Sequence, residues 1–434
     1  MATVTVDSNG VLAIDGEKIF PIGLSEPPPL GATYLRPDNP ALRELARNGV
    51  TFVRTGPREF GDLSAAVWGP PEWELANLPA QVAKVKQRFD EADQNGIYCW
   101  LYLANASGVG APGSASEQLL QGIVDAFKDH PRLLAYKGWD EPNNGAKPHG
   151  PLDLAYSTIK ARDTNHPVVI VEAPVGNLDG MLPYGNAFDV TGVDVFPVEY
   201  PRPGETPHPK PITIVGDWTR TAVQAAQQSH THKPAVWMTI QIASSGTAAS
   251  HSKPNVIPRF PTLHDERFMA YHAIVRGARG LTFFGGHLTQ VCSPADASDG
   301  WNWSYWRQVV RPVVHQVASE DLQPALTAPN APDQIKTRLP GTTAATDVEL
   351  VARRAGGFLY VIAANTGSSG LKWIEFTGLP AGTTSGEVLF EYVRSQPPPP
   401  WEPAQQVPRT VKVTNGAFQD VFAPYDAHVY RFAA

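Results

Sequence analysis

The stretch that decides the fold is Leu133-Leu134-Ala135-Tyr136-Lys137-Gly138-Trp139-Asp140-Glu141-Pro142-Asn143-Asn144. It starts as an apolar run, ends in two adjacent carboxylates, and is followed at once by a proline and two asparagines. A short apolar run bounded by turn residues is typical of a strand that is buried on both faces. Asp140 and Glu141 would then lie where the strand leaves the core. Acidic residues also favour helix N-termini, so a role in capping the next helix is the alternative.

The same unit recurs along residues 17–332: an apolar run, a loop, an amphipathic helix, and a Gly, Asn or Pro at the helix end. Eight strands alternating with helices predict a (β/α)8 barrel. The predicted strands lie at 19–24, 50–54, 97–103, 133–140, 167–171, 188–196, 234–241 and 280–284, and the helices at 39–48, 78–94, 116–128, 152–163, 219–228, 266–277 and 303–319. An open doubly wound sheet is the alternative, but it usually carries a glycine-rich phosphate loop, and the sequence has none.

The two ends of the chain follow a different pattern from its middle. Asn9-Gly10 lies between two alternating apolar runs, which predicts a β-hairpin over residues 1–16. From residue 333 to 434 short strands are separated by Gly- and Ser-rich turns without helices, which predicts a small β-sandwich. The proline-rich segment at 395–401 is interpreted as a loop of this domain, with a proline-rich ligand for a partner protein as the lesser alternative.

The composition limits the classes of partner. A hydrophobic fraction of 42% and a charged fraction of 18% are ordinary for a globular protein. The formal charge of −7, without any basic run, argues against nucleic acid and anionic membrane as partners. We find no apolar stretch of about 18 residues, so no membrane span is expected. The 11 Trp and 13 Tyr residues suit amphipathic ligands, sugars included, although most will be core residues.

Cysteine, histidine and the N-terminal sequence allow few further conclusions. Cys99 lies in an apolar run and should be a buried hydrophobe, and two cysteines support neither a disulfide framework nor a metal cluster. The histidines show no metal-ligand spacing, so no metal or other cofactor is expected. The first residues lack the features of a signal peptide. The protein is therefore either cytoplasmic, or secreted or periplasmic after removal of a signal. Its oligomeric state is left open.

The adjacent carboxylates suggest acid catalysis at the C-terminal rim of the barrel, where barrel enzymes carry their catalytic groups. Cleavage of a glycosidic bond needs one carboxylic acid to protonate the leaving oxygen and a second group at the oxocarbenium-like centre. Glu141 is our candidate general acid. Asp140 would raise the pKa of Glu141 by like-charge repulsion.

Three features together resemble the clan A glycoside hydrolases and their relatives. They are Trp139-Asp140-Glu141-Pro142 ending strand four, Val193-Asp194-Val195-Phe196-Pro197 at strand six, and a barrel followed by a β-sandwich. The resemblance implies an O-glycosyl hydrolase acting on an oligo- or polysaccharide. It also implies that Glu141, as the strand-four glutamate, is the general acid/base.

Two positions depart from that family. The clan usually has Asn where this chain has Asp140, and its nucleophile is a strand-seven Glu where this chain has Gln241. Gln cannot form the glycosyl-enzyme ester. Another carboxylate, such as Asp194, Glu199 or Glu172, could act as base or nucleophile. Alternatively, Asp140 and Glu141 resemble the acid pair of substrate-assisted N-acetylhexosaminidases, or the barrel binds sugars without cleaving them.

The predicted catalytic residues are therefore Glu141, Asp140 and Asp194, although Asp194 could equally hold a loop through backbone amides. The other candidates follow the predicted strands and are assigned to substrate binding. They are Arg54, Tyr102, Trp139, Asn143, Glu172, Tyr200, Trp237, Gln241 and His287. Six of them have a structural alternative: a Glu172–Arg54 ion pair, a core hydrogen bond for Gln241, barrel packing for Trp139 and Trp237, and a plain loop position for His287.

Overall fold

Eight parallel strands close into a barrel, which confirms the predicted (β/α)8 fold. The computed structural model describes residues 2–57, 72–198, 200–201, 211–244, 256–257, 259–285, 293–394 and 406–433. In chain order the barrel strands are β1 (Ile22–Leu24), β2 (Phe52–Thr55), β3 (Tyr98–Tyr102), β4 (Leu133–Asp140), β5 (Val168–Glu172), β6 (Val190–Val195), β7 (Trp237–Gln241) and β8 (Gly280–Phe284). Each strand pairs with its neighbours in sequence, and β8 pairs with β1.

Helices follow most barrel strands and cover the outside of the barrel. The α-helices are Ala41–Arg47, Leu78–Asn95, Ala115–Phe127, Gly150–Lys160, Leu178–Met181, Ile214–Gln228, Leu263–Val275, Pro294–Asp299, Trp303–Tyr305, Arg311–Val317 and Gln323–Thr327. Short 3₁₀ turns lie at Leu75–Asn77, Ala104–Ser107 and Leu182–Tyr184. Their ends follow local chemistry: the Ser114 side chain accepts a hydrogen bond from Glu117 N, and Gly96 ends its helix with φ +72°.

The helix predicted at 303–319 is interrupted rather than continuous. A π-helical segment, Trp306–Val310, separates Trp303–Tyr305 from Arg311–Val317. Pro312 stands in the first turn of the last piece, where its missing N–H removes a donor from the helical ladder. The interruption therefore has a local cause that an apolar periodicity does not show.

The N-terminal residues close one end of the barrel. Strands Val4–Val6, Leu12–Ile14 and Glu17–Ile19 form a three-stranded antiparallel sheet, one strand more than the predicted hairpin. Its apolar side chains belong to one cluster with Phe52, Trp100 and Trp237 inside the barrel. The Phe52 ring lies 5.6 Å from both tryptophan rings. The barrel interior is thus packed at the end where its strands begin.

The C-terminal residues form the predicted β-sandwich. A three-stranded sheet contains Lys336–Arg338, Lys372–Thr377 and Ala417–Phe422, and a five-stranded sheet contains Val348–Ala355, Phe358–Asn365, Ser385–Arg394, Gln406–Lys412 and Ala427–Ala433. The five-stranded sheet packs on the barrel helix Leu263–Val275, where His272 Nε2 lies 3.0 Å from Glu349 Oε2. The predicted loop at 395–401 lies outside the described residues. None of the described helices combines the length and the apolar character of a membrane span.

Candidate active site

A β-bulge in β4 prepares the site. Lys137 pairs with Val169 of β5, but Asp140 pairs with Val171, so two residues of β4 lie opposite one residue of β5. Side chains alternate between the faces of a regular strand, which would put Lys137 and Asp140 on opposite faces. The extra residue changes that alternation. Both side chains therefore reach the same face and form an ion pair.

Two ion pairs lie at the C-terminal end of the barrel interior. Lys137 pairs with Asp140, and Arg54 of β2 pairs with Glu26. The Tyr102 ring lies against both cations, 4.6 Å from Lys137 Nζ and 5.2 Å from Arg54 Cζ. The side chains of Lys137, Arg54 and Glu26 are at most 5% exposed, whereas that of Asp140 is 43% exposed. Asp140 is therefore the member of this group that solvent or a ligand can reach.

The same group sets the ionisation of its carboxylates. Burial works to raise the pKa of Asp140, but the Lys137 ammonium and the Arg54 guanidinium outweigh it and hold this pKa below its ordinary value. For Glu26, burial dominates over the attraction of Arg54, so its pKa is raised. Asp140 is accordingly the carboxylate of this group that stays ionised at the lowest pH.

Glu141 and Asp194 form a carboxyl pair. Glu141 directly follows β4 and Asp194 lies in β6, yet their side chains are within hydrogen-bonding reach of each other. Burial, followed by the charges of Glu141 and Asp140, raises the pKa of Asp194 well above its ordinary value, while Lys137 opposes this shift. No N–H or O–H group in the described part of the chain donates to Asp194 Oδ1. The raised pKa favours a protonated Asp194 carboxyl, which can donate a hydrogen bond to Glu141.

The backbone turns sharply at Glu141. This residue has φ +51°, in the left-handed region that costs a non-glycine residue about 1–2 kcal/mol. Its N–H donates to Val171 O at 2.7 Å, and Asn144 Nδ2 donates to Glu141 Oε2 at 3.0 Å. Strain of this kind occurs preferentially at functional sites, where the surrounding structure maintains it.

Glu172 and Asn143 lie beside the carboxyl pair and hold the loop that follows β4. Asn143 N donates to Glu172 Oε2 at 3.3 Å, while the Asn143 amide exchanges two hydrogen bonds with the backbone of Ala173. Burial is the main cause that raises the pKa of Glu172 to about 8, with the Glu141 charge adding to it. The ion pair considered for Glu172 and Arg54 is not formed, because Arg54 pairs with Glu26.

The side-chain amide of Gln241 is hydrogen-bonded to the backbone around it. Its Oε1 accepts from Val198 N at 2.8 Å, and its Nε2 donates to Val198 O at 2.9 Å and to Ala243 O at 3.0 Å. The side chain is buried. The structural alternative, a core hydrogen bond, is therefore what this residue makes, and it fixes the segment after β6.

The two tryptophans predicted to bind substrate lie away from the carboxyl pair. Trp139 packs outside the barrel against Leu152, Ile170 and Tyr184, because the bulge turns it to the outer face. Trp237 begins β7 and packs among the side chains at the opposite, N-terminal end of the barrel. Both tryptophans therefore occupy packing positions, and these positions give no support to a role in substrate binding.

The remaining predicted residues are placed only in part. Tyr200 lies in a two-stranded ribbon, Tyr200–Pro201 with Val256–Ile257. His287 and Glu199 lie outside the described residues. The structure brings together seven of the predicted site residues: Arg54, Tyr102, Asp140, Glu141, Asn143, Glu172 and Asp194.

Four residues of this region are missing from the sequence-based prediction. Lys137 lies within an otherwise apolar run. Glu26 lies two residues after the first predicted strand, a position that could have marked it. Phe196 lies two residues after Asp194, and Phe284 is the last residue of β8. Their rings stack with centroids 4.9 Å apart, and Phe196 is 39% exposed. An exposed aromatic pair at the rim offers an apolar face for a ligand.

Comparison with solved structures finds similar folds along nearly the whole chain. A protein described as a glycoside hydrolase has a TM-score of 0.61 and 13% identity, covering 99% of this chain and 96% of its own. A glycoside hydrolase family 5 protein from Bacteroides vulgatus has a TM-score of 0.61 and 14% identity, covering 99% and 93%. An alpha-amylase from Geobacillus thermoleovorans has a TM-score of 0.51 and 10% identity, covering 95% and 98%.

Neither a family model nor a curated protein matches the sequence. At the identities found, the structural likeness establishes a shared fold. The resemblance to clan A glycoside hydrolases inferred from the sequence is thus confirmed for the architecture of the chain.

Proposed function

We propose that this protein hydrolyses O-glycosidic bonds of an oligo- or polysaccharide, with Glu141 as general acid/base. The observation that carries the proposal is the carboxyl pair of Glu141 and Asp194 at the C-terminal rim of the barrel. Two carboxyl groups in contact do not both ionise readily, so the pair retains one proton at a pH where an isolated carboxylic acid has lost it. An acid that is still protonated near neutrality is what departure of a sugar alkoxide requires.

The residues divide the work as follows. Glu141 gives the shared proton to the glycosidic oxygen as the bond breaks, and Asp194 holds that proton in the resting site. In the second half of the reaction, water forms the new bond to the anomeric carbon and gives a proton to Glu141, which restores the acid. Phe196 and Phe284 provide an apolar face against which a sugar ring can pack. The shared fold with proteins described as glycoside hydrolases supports the proposal.

A substrate-assisted reaction is the second candidate, and Asp140 favours it. Gln241 cannot act as nucleophile, since its amide is bound to backbone groups on both sides. Asp140 is partly exposed, stays ionised and directly precedes the acid, so it can orient an N–H group of the substrate. A 2-acetamido group held in this way would supply the nucleophile itself. This route identifies the substrate as an N-acetylhexosaminide.

The test is a panel of aryl glycosides that includes N-acetylhexosaminides, assayed with wild type and with Asp194→Asn. We expect turnover of at least one substrate. Asp194→Asn removes the carboxyl group that keeps a proton at the site, so the alkaline limb of kcat/KM should move to lower pH by about one unit or more. Turnover of none of the substrates would favour a barrel that binds carbohydrate without cleaving it. An unmoved alkaline limb in Asp194→Asn would remove the carboxyl pair from the mechanism.

The product distinguishes the two chemical routes. Retention of the anomeric configuration in the first product, followed by NMR, is expected for substrate assistance, because two displacements occur at one carbon. Inversion would instead require a carboxylate that activates water directly.

A further inference from the structure

We propose that Lys137 is a positioning residue that fixes Asp140 as an anion beside the reacting sugar, so that Asp140 supplies the negative charge which Gln241 cannot. This inference rests on the glycosidase function proposed above. A glycosidic bond breaks through an oxocarbenium-like transition state, which carries positive charge on the sugar. A fixed anion close to that charge lowers the barrier because its position is already set before the reaction.

The bulge in β4 is the device that brings Lys137 and Asp140 together. Without the extra residue between their partners Val169 and Val171, residues 137 and 140 would lie on opposite faces of the strand. Bulges re-aim side chains next to active sites. Here the result is an ion pair between a buried cation, Lys137, and a partly exposed anion, Asp140.

Among the described residues, Asp140 forms the ion pair with Lys137, and the charge of Asp194 also acts on the lysine. Its side chain is 3% exposed, with Nζ 4.6 Å from the Tyr102 ring and 5.6 Å from the Trp100 ring. Ring faces attract a cation, but they do not neutralise it. Asp140 is the carboxylate with which Lys137 forms an ion pair in the described part of the chain. Breaking the ion pair would leave the buried ammonium of Lys137 without a counter-charge, which carries a large free-energy penalty. This penalty keeps Lys137 and Asp140 together.

Asp140 meets the requirements of the fixed anion. It directly precedes Glu141, its side chain is 43% exposed, and Lys137 and Arg54 favour its ionised form. Charged and titratable groups from five parts of the barrel act on this part of the site. They are Glu26 after β1, Arg54 of β2, Tyr102 of β3, Lys137 of β4 with Glu141 directly after that strand, and Asp194 of β6. Arg54 is already paired with Glu26, which leaves Lys137 as the main partner of Asp140.

The experiment compares Lys137→Met, Asp140→Asn and the double variant with wild type. Met fills the space of the lysine stem without its charge, and Asp140 can then be solvated because it is partly exposed. Lys147→Met is the matched control, since Lys147 lies 5.9 Å from the Trp139 ring on the outer side of the barrel. Two readouts are taken: the pH profile of kcat/KM on an aryl glycoside, and the titration of the Asp140 carboxyl by carbon-13 NMR, assigned with Asp140→Asn.

We expect Lys137→Met to raise the pH at which Asp140 titrates, and with it the acidic limb of kcat/KM, by about 1–3 units. Asp140→Asn should lower kcat by about 10²-fold or more while KM changes little. The double variant should be no slower than Asp140→Asn alone, because a residue that acts through Asp140 has nothing further to lose. Lys147→Met should behave like wild type in both readouts.

Two results would overturn the inference. An Asp140 titration that is unchanged in Lys137→Met would show that Lys137 does not set its charge, whatever the enzyme turns over. Independent, additive losses in the double variant would show that Lys137 acts by another route. If wild type cleaves no glycoside while the titration still shifts, the proposed function fails and the link between Lys137 and Asp140 stands. Should Lys137→Met not fold, Asp140→Glu, which moves the anion by one methylene, is expected to lower kcat at unchanged Tm, and an unchanged kcat would contradict the inference.

Discussion

The segment that follows Asp194 is held by the side chain of Gln241. Gln241 holds both the N–H and the C=O of Val198, which lies four residues beyond Asp194. Its amide is suited to this task because it carries a donor and an acceptor, whereas an ionised Glu carries acceptors alone. The strand-seven position, which carries the nucleophile in the clan A enzymes that the sequence resembles, is therefore occupied here by a residue that orders the chain next to the carboxyl pair.

Replacing Gln241 with Glu should destabilise the protein without creating a nucleophile. In wild type the carbonyl oxygens of Val198 and Ala243 accept hydrogen bonds from Gln241 Nε2. Gln241→Glu replaces this donor with a buried carboxylate oxygen, which the two carbonyl oxygens repel. We expect a loss of about 2–4 kcal/mol of stability and a lower Tm by calorimetry. Gln419→Glu, at an exposed strand position, is the control. A variant as stable as wild type, with higher turnover, would show that our assignment of Gln241 is wrong.

At the residue scale the sequence predicted the acids better than their partners. Asp140, Glu141 and Asp194 each end or nearly end an apolar run, so strand periodicity and the barrel fold together bring them to one rim. Lys137 was not recognised, because Asp140 reaches the face of Lys137 only through the bulge that lies between the two residues. The same bulge turns Trp139 to the outer face, so its contacts favour the packing alternative. The partner of Arg54 could not be chosen from sequence, since Glu26 and Glu172 both follow barrel strands.

At the scale of single elements, β6, the strand that carries Asp194, lies unusually close to β7 at Gly192. Gly192 of β6 allows this spacing, because a Cβ atom built there would lie 1.7 Å from the carbonyl oxygen of Trp237 in β7. Even the closest non-bonded contacts in proteins are much longer than this distance. The two strands could not pair at their present separation with any other residue at this position.

Gly192→Ala should therefore weaken the barrel at the strand that carries Asp194. We expect a Tm well below that of wild type, or failure to fold, measured by circular dichroism and calorimetry. Gly180→Ala is the matched control, because a Cβ atom there meets nothing within 4 Å. A Gly192→Ala protein with wild-type Tm would mean that β6 and β7 are not in contact as described.

Element positions were predicted closely wherever one pattern dominates. All eight barrel strands lie within the predicted runs or overlap them, since buried strands are apolar and end at turn residues. The π-helical break at Trp306–Val310 was not predicted, because aromatic side chains at 301, 303 and 306 continue an apolar stripe through it. Periodicity reports which face is buried, and it does not report the hydrogen-bond pattern of the helix.

At the scale of the whole molecule, barrel and sandwich share apolar packing. Met269 and Tyr271 of the helix Leu263–Val275 belong to one cluster with Val351, Ile362 and Val429 of the five-stranded sheet. Arg267 donates to the carbonyl oxygen of Ala427, and Arg276 pairs with Glu349 across the same junction. The alternating composition predicted both architectures, but their packing depends on contacts between residues far apart in sequence.

Stability should fall with rising pH through the carboxyl groups buried in the barrel. Burial raises the pKa of Glu172 from an ordinary 4.5 to about 8, so the folded protein keeps a proton that the unfolded chain releases between these values. The unfolding free energy therefore decreases from about pH 5 to pH 8. We expect Glu172→Gln to remove about 3 kcal/mol of this decrease, seen as a smaller drop in Tm over that range.

The control for this prediction is Glu320→Gln, at an exposed position after the helix Arg311–Val317. It should leave the change of Tm with pH as it is in wild type. Equal pH dependence in wild type and Glu172→Gln would mean that Glu172 is ionised in the folded protein, contrary to the effect of its burial.

The most direct test of the central claim is the leaving-group dependence of kcat/KM in wild type and Glu141→Gln, on a substrate that wild type cleaves. A general acid matters most when the departing oxygen is a poor leaving group. We expect Glu141→Gln to lose about 10²–10⁴-fold on an unactivated glycoside and far less on a dinitrophenyl glycoside, with Tm nearly unchanged. Equal losses on both substrates, or no loss on either, would contradict the role of Glu141 as general acid.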